Sequence, residues 1–170
     1  AMTTTPITKP FTEITFGKLL DEIASRFPDR QAVKYIDRDY ERTWKEFNEE
    51  CDKVAKGFIK MGVKKGDKVA IWATNVPEWL ITFFATAKIG AVLVTVNTNY
   101  KRFELEYLLR QSDSNTLVLI DGIKGTEDFI TYLEQICPEL SHCEPGKLNS
   151  ETLPFLKNVI RLSDQQRPGT

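Results

Sequence analysis

The sequence predicts an α/β fold in which a mostly parallel β-sheet is covered by helices on both faces. Short apolar stretches rich in β-branched residues recur from position 68 onward, and helical segments of about 10 to 15 residues separate them. Near-continuous apolar strands are typical of a sheet buried on both faces. Strands that alternate with helices are typical of right-handed βαβ units, so the fold class is α/β.

Composition limits the classes of partner. Lys plus Arg number 23 against 24 Asp plus Glu, which gives a net charge of -1 in 170 residues. Because this balance supplies no bulk positive field, we expect no nucleic-acid partner. The three cysteines are odd in number and no leader pattern opens the chain, so a disulfide framework is not expected. These features favour one domain in a reducing cytoplasm.

The spacing of apolar residues predicts the first helix and a hairpin, which follow an extended arm. Residues 1–15 are rich in Thr and Pro and predict an extended N-terminal arm, in which Ala1 before Met2 is interpreted as an expression scar. Apolar residues at helical spacing from Phe16 predict a helix that Pro28 closes. The stretches 32–37 and 40–43 predict an antiparallel hairpin.

A capping box predicts the start of the second helix. The Thr43 hydroxyl can accept from the backbone at Glu46, whose carboxylate reaches back to the Thr43 amide. Apolar residues continue on one face from Trp44 to Met61, and Gly62 is expected to end this helix.

The remaining chain predicts the parallel sheet. The expected elements are a strand at 68–74, a helix from Pro77 to Ile89 that stops at Gly90, a strand at 91–97, a helix at 101–112, a strand at 116–121, a helix from about Thr126 to Cys137 and, after a loop-like segment, a strand at 159–162. The apolar run 79–96 is long enough to suggest a membrane span. However, Lys88 and Gly90 interrupt it, so we interpret it as a buried helix followed by a buried strand.

One cluster could suggest metal binding. Cys137, His142 and Cys143 are close in sequence, but paired Cys-x-x-Cys spacing is missing and no fourth ligand is evident. His142 is also the only imidazole available to a nucleophilic triad. A surface histidine beside two reduced thiols is the favoured interpretation.

Two glycine-containing segments, 62–68 and 121–126, could suggest phosphate binding. The 121–126 segment does not have the glycine spacing of the known phosphate-binding loops, so it is interpreted as a turn that leads to a helix N-cap at Thr126. The 62–68 segment has three lysines beside one Asp before a strand, so it is interpreted as a solvated helix-to-strand turn.

Acidic pairs and tryptophans offer further candidates. The pairs Glu49/Glu50 and Glu104/Glu106 lie on predicted helices and are interpreted as solvated faces, because no desolvating neighbour is evident. Trp72 and Trp79 could wall an apolar ligand pocket, although core packing is favoured. We therefore predict no catalytic, cofactor-binding or metal-binding residue in this chain.

The order of five motifs resembles the opening of the adenylate-forming ligases. These motifs are Arg42-Thr43-Trp44-Lys45-Glu46-Phe47, Gly62 to Ile71, Asn75-Val76-Pro77-Glu78-Trp79, Ala87 to Asn97, and Glu104-Leu105-Glu106-Tyr107. The resemblance runs from about Phe16 to Asp121. Segments at 135–139, 145–146 and 153–154 further resemble the medium-chain acyl-CoA synthetase branch.

This resemblance implies a fatty acid–CoA ligase that forms acyl-AMP and pyrophosphate from a fatty acid and ATP, then transfers the acyl group to CoA. ATP, Mg²⁺ and CoA are the implied cofactors of the parent enzyme. The phosphate loop and the mobile lysine of the family lie downstream of the matched region. We therefore expect 16–163 to be an N-terminal subdomain of an AMP-binding ligase, 164–170 a truncated linker, and the chain alone to be inactive and free of cofactors.

Three alternatives remain open at this level. The parent could be an aryl-acid ligase or a peptide-synthetase adenylation domain, or the chain could be a stand-alone α/β docking or ligand-binding module without catalysis. The expected partners are the downstream subdomains of the same chain. The helix from Pro77 to Ile89 is apolar nearly all round, so we expect it to pack between the sheet and a partner subdomain. Apolar surface left exposed there also predicts a homodimer of the isolated chain.

Overall fold

The computed structural model describes residues 13–125, 127–163 and 167–170. The predicted arm is therefore outside the described residues except for 13–15, as are Thr126 and positions 164–166 of the predicted linker. The helices are α1 (Phe16–Arg26), α2 (Trp44–Lys60), α3 (Pro77–Ile89), α4 (Arg102–Ser112) and α5 (Phe129–Ile136), and a 3₁₀ helix spans Pro138–His142. The strands are β1 (Gln31–Tyr35), β2 (Tyr40–Thr43), β3 (Lys68–Trp72), β4 (Val92–Thr95), β5 (Thr116–Ile120) and β6 (Asn158–Leu162).

The predicted parallel sheet is confirmed. Strands β3 to β6 form one sheet in the order β4-β3-β5-β6, and every neighbouring pair is parallel. Val69 of β3 lies opposite Leu93 on one side and Thr116 on the other. The hairpin is confirmed as a separate antiparallel pair of β1 and β2.

Helices cover both faces of this sheet, as predicted. Ala70 and Trp72 of β3 belong to a buried cluster that includes side chains of α4 and α5. Val69 and Ile71 belong to a second cluster that includes side chains of α2 and α3. Successive strand residues thus enter opposite layers, which explains why the strands read as continuous apolar runs.

Local signals set the helix ends. The Thr43 hydroxyl accepts from the Glu46 amide at 3.3 Å and the Glu46 carboxylate accepts from the Thr43 amide at 2.8 Å, so the capping box is confirmed. Gly90 follows α3 with φ 72°, a left-handed conformation that glycine adopts without strain.

Helix α3 is packed by helices of this same chain. We expected its apolar surface to lie between the sheet and a partner subdomain. Within the described residues, α1 and α2 cover part of its outer side, where Leu20, Phe47, Cys51 and Ile81 form a third buried cluster. Packing against a further subdomain stays a prediction.

Two expectations about the end of the chain were inaccurate. Helix α5 begins at Phe129, three positions after the predicted start, and Asp128 precedes it as the N-cap residue. The 3₁₀ helix was predicted as loop, since its Pro138 start carries no helical periodicity. Within the described residues, no helix is both long and apolar enough to cross a membrane. The run 79–96 is α3 followed by β4, as interpreted.

Candidate functional site

The carboxyl ends of the four parallel strands meet at one edge of the sheet. From β3 the chain passes to β4 on one side, and it then returns to β5 on the other side of β3. This reversal is a topological switch point, the place where open α/β sheets bind ligands. The carboxyl edge is therefore the candidate ligand-binding edge of this sheet.

A shallow depression of about 510 Å³ lies at this edge, beyond the ends of β3 and β4. The Tyr35 hydroxyl lies 3.2 Å from Asn75 Oδ1 and joins the hairpin to this rim. Asn97 Oδ1 accepts from the Asn99 amide at 2.9 Å, which orders the loop after β4. The depression is lined by Ala73, Thr74, Asn75, Trp79, Leu80, Val96, Asn97 and Thr98.

The two candidate tryptophans have different roles. Trp72 is fully buried and stacks on Phe129, with ring centroids 3.8 Å apart, and its Nε1 donates to the carbonyl of Asn97. The core interpretation is confirmed for Trp72. Trp79 is half-buried, stacks on Phe83, and lines the depression, so it does contribute a wall to a pocket.

An ion pair closes the carboxyl ends of β5 and β6. Arg161 Nη2 lies 2.6 Å from Asp121 Oδ1, and the Arg161 side chain is only 3% exposed. The Ser163 hydroxyl donates to Asp121 Oδ2 at 2.8 Å. The Asp121 carbonyl also accepts from the Phe129 amide, which ties the end of β5 to the start of α5. Its side chain is therefore engaged within the chain.

The 62–68 segment is a helix-to-strand turn, as predicted. It precedes β3 and lies at the opposite, amino edge of the sheet. One carboxylate oxygen of Asp67 accepts from both the Lys64 amide and Asn115 Nδ2, each at 2.8 Å. This basic segment is held by internal hydrogen bonds and is remote from the carboxyl edge.

The prediction of a solvated face is wrong for Glu50. Its carboxylate accepts from Arg42 Nε and from the Tyr40 hydroxyl, both at 2.6 Å. Burial, together with the hydrogen bond to Glu50, raises the pKa of Tyr40. Periodicity alone missed this pair because Arg42 and Tyr40 come from the hairpin. Glu49 and Glu104 are exposed, as expected.

The Cys137, His142 and Cys143 cluster is not assembled as a metal site. Cys137 is fully buried, its sulfur accepts from the Ser150 hydroxyl, and burial raises its pKa to about 11. His142 is exposed at the end of the 3₁₀ helix. Within the described parts of the chain, no group of three or more His, Cys, Asp and Glu side chains could hold a metal ion.

The described residues that line the depression at the carboxyl edge include no charged side chain. The depression offers amide and hydroxyl groups beside one aromatic wall, which suit hydrogen bonding to a neutral group. This lining has no carboxylate for Mg²⁺ and no Lys or Arg for a triphosphate, so no step of a reaction is assigned to it. Sequence reasoning did not single out Thr74, Asn97 and Thr98; polar residues directly after apolar strands are the signal that finds them.

Comparison with known proteins defines the class. The family described as AMP-binding enzyme matches residues 20–165, and this chain belongs to that family. The parallel sheet of this chain, with its helices on both faces, is thus the opening part of an adenylate-forming fold.

Three proteins illustrate which members of this family the chain is similar to. YngI of Bacillus subtilis (strain 168), which carries the name acyl-CoA synthetase, is 49% identical over 91% of this chain and 28% of its own length. The mitochondrial medium-chain acyl-CoA ligase ACSF2 of Mus musculus is 40% identical over 92% of this chain and 25% of its own length. The inhibitor-bound N-terminal domain of FACL13 from Mycobacterium tuberculosis superposes with a TM-score of 0.71 at 22% identity, covering 86% of this chain and 33% of that one. The chain therefore spans about a quarter of these curated relatives and a third of that N-terminal domain.

Proposed function

We propose that this chain is part of the N-terminal region of a fatty acid–CoA ligase. The whole enzyme converts fatty acid, ATP and CoA into acyl-CoA, AMP and pyrophosphate through acyl-AMP. One observation carries this proposal: relatives at 40 to 49% identity over more than nine-tenths of the chain are named as acyl-CoA synthetases or ligases. The medium-chain relative favours a medium-chain fatty acid as substrate.

In this proposal, residues 16–163 form a structural subdomain that is inactive alone and cytoplasmic. ATP, Mg²⁺ and CoA bind to the parent enzyme through residues outside this chain. The hydrogen bonds that Asp67 accepts and the ion pair of Asp121 with Arg161 support a structural role for the described loops. The proposal also includes the downstream subdomains as partners of this chain.

Product analysis of the full-length polypeptide tests the proposal. It is incubated with ATP, Mg²⁺, CoA and a panel of hexanoate, octanoate, palmitate and benzoate, and the thioesters are identified by mass spectrometry. Octanoyl-CoA is the expected main product. Benzoyl-CoA as the main product would instead favour an aryl-acid ligase, and a reading frame that ends at Thr170 would favour a stand-alone module.

A further inference from the structure

One apolar groove remains open on the face of the sheet that α2 and α3 cover. It lies beside β6, the last strand of the sheet, and has a volume of about 220 Å³. Ile160 and Leu162 of β6 line it and are only partly buried, whereas Val118 of β5 in its wall is fully buried. Apart from Glu78 and Thr82, the lining is apolar: Val54, Gly57, Phe58, Met61, Ile81, Val118, Ile160 and Leu162.

A glycine on the rim of this groove has no packing explanation among the described residues. Gly57 lies inside helix α2, where glycine destabilises a helix relative to alanine. A Cβ atom built at Gly57 meets no atom within 4 Å. By contrast, a Cβ at Gly17 would lie 2.9 Å from the Cα of Lys88, so that glycine permits a close crossing of α1 and α3. Gly57 could permit a close crossing of the kind seen at Gly17, yet no other described element comes within 4 Å of a Cβ placed there.

The length of the relatives indicates which segment could fill the groove. The curated relatives are about four times as long as the region matched here, and a solved N-terminal domain is three times as long. Most of one N-terminal domain thus lies outside this chain and must bury apolar surface against it. We propose that a downstream segment of the same polypeptide packs into this groove and crosses α2 at Gly57. This inference rests on the proposed function, because it requires the longer enzyme.

Right-handed crossovers add a constraint on that segment. The connections β4-α4-β5 and β5-α5-β6 advance in one direction and place their helices on the opposite face of the sheet. A further crossover in the same direction would again cover that opposite face. The segment that fills the groove therefore either returns toward β4 or arrives from a later part of the fold.

Oxidation of Met61 reports on this groove. Met61 lines the groove and is 41% exposed in the chain described here. Its oxidation by hydrogen peroxide is followed by mass spectrometry in the 170-residue chain and in the full-length polypeptide, whose acyl-CoA synthesis is measured first. We expect Met61 to react at least tenfold more slowly in the full-length polypeptide. Equal rates in an active full-length enzyme would overturn the inference and leave the proposed function intact.

A blocking substitution gives a second readout. A Cβ at Gly57 meets no atom within 4 Å, and the position borders the open groove, so the 170-residue chain with Gly57→Trp should keep its unfolding midpoint. In the full-length enzyme the same substitution should lower the melting temperature, while Lys56→Trp, at an exposed neighbouring position on the same helix, should not. Indistinguishable melting of the two full-length variants would contradict the proposal. If Met61 of the 170-residue chain is protected from oxidation at high concentration and loses this protection on dilution, a second copy of the chain occupies the groove. That result would also overturn the proposal.

Discussion

Alanine at position 17 adds one methyl group where helix α1 crosses helix α3. Its Cβ would lie 2.9 Å from the Cα of Lys88 and 3.2 Å from the Lys88 backbone nitrogen. Because these atoms belong to the backbone of a helix, they cannot rotate away, and the two helices must move apart. Overpacking of this kind costs about 1–3 kcal/mol. Alanine has a higher helix propensity than glycine, which offsets up to about 1 kcal/mol of this cost. Gly17→Ala should therefore lower the free energy of unfolding by about 1 kcal/mol.

Gly57→Ala is the matched control for this substitution. The added methyl group meets no atom within 4 Å, so only the propensity gain remains. We expect this variant to be more stable by about 0.5–1 kcal/mol. The difference between the two variants cancels the shared propensity gain and isolates the steric cost at the helix crossing.

Urea denaturation followed by circular dichroism measures this difference. With a slope of about 2 kcal/mol/M, a difference of about 2 kcal/mol separates the two midpoints by about 1 M. The slopes themselves should agree, because neither substitution changes the surface exposed on unfolding. Equal shifts in the same direction at both positions would refute the close approach of α1 to α3.

Three further predictions concern charge, capping and thiol reactivity. Lys88 Nζ lies 2.5 Å from Asp21 Oδ1. Burial alone would raise the pKa of Asp21, but the hydrogen bond and charge of Lys88 hold this pKa below its ordinary value of 3.8. Asp21→Asn should therefore be less stable than the wild type at neutral pH, and the difference should fade as the pH falls below 3.8; a difference constant down to pH 2 would argue against it. Thr43→Ala should cost about 0.5–2 kcal/mol in the same urea assay, and an unchanged midpoint would mean that the capping box is not needed. A thiol reagent should modify Cys143 alone in the native chain, since the other two cysteines are buried, and rapid reaction of all three would contradict the packing.

Much of the fold could be predicted because its signals are local. The Thr43 capping box, the stop at Gly90 and the alternation of apolar strands with helices each depend on neighbouring residues, and all three are present. The start of α5 was misplaced because Thr126 resembles an N-cap residue, whereas the helix begins after Asp128. Short stretches of turn residues offer several such starts, and packing of Phe129 against Trp72 selects one.

The candidate site was less predictable because its contacts are distant in sequence. Arg161 reaches Asp121 from a neighbouring strand, and Glu50 meets Arg42 and Tyr40 from the hairpin. No periodicity in the sequence connects these positions. The packing of α3 by α1 and α2 was missed for a similar reason, since a continuous apolar helix does not show which elements cover it.

ATP–pyrophosphate exchange on two lengths of the same polypeptide is the most direct test of the proposed role. Labelled pyrophosphate enters ATP only when acyl-AMP forms reversibly, so the assay isolates the first half of the reaction. We predict fatty acid–dependent exchange by the full-length polypeptide and a rate equal to the no-protein control for the 170-residue chain, although both fold cooperatively. Exchange by the 170-residue chain, or a folded full-length polypeptide without exchange for any fatty acid, would contradict the assignment of this chain as an inactive part of a fatty acid–CoA ligase.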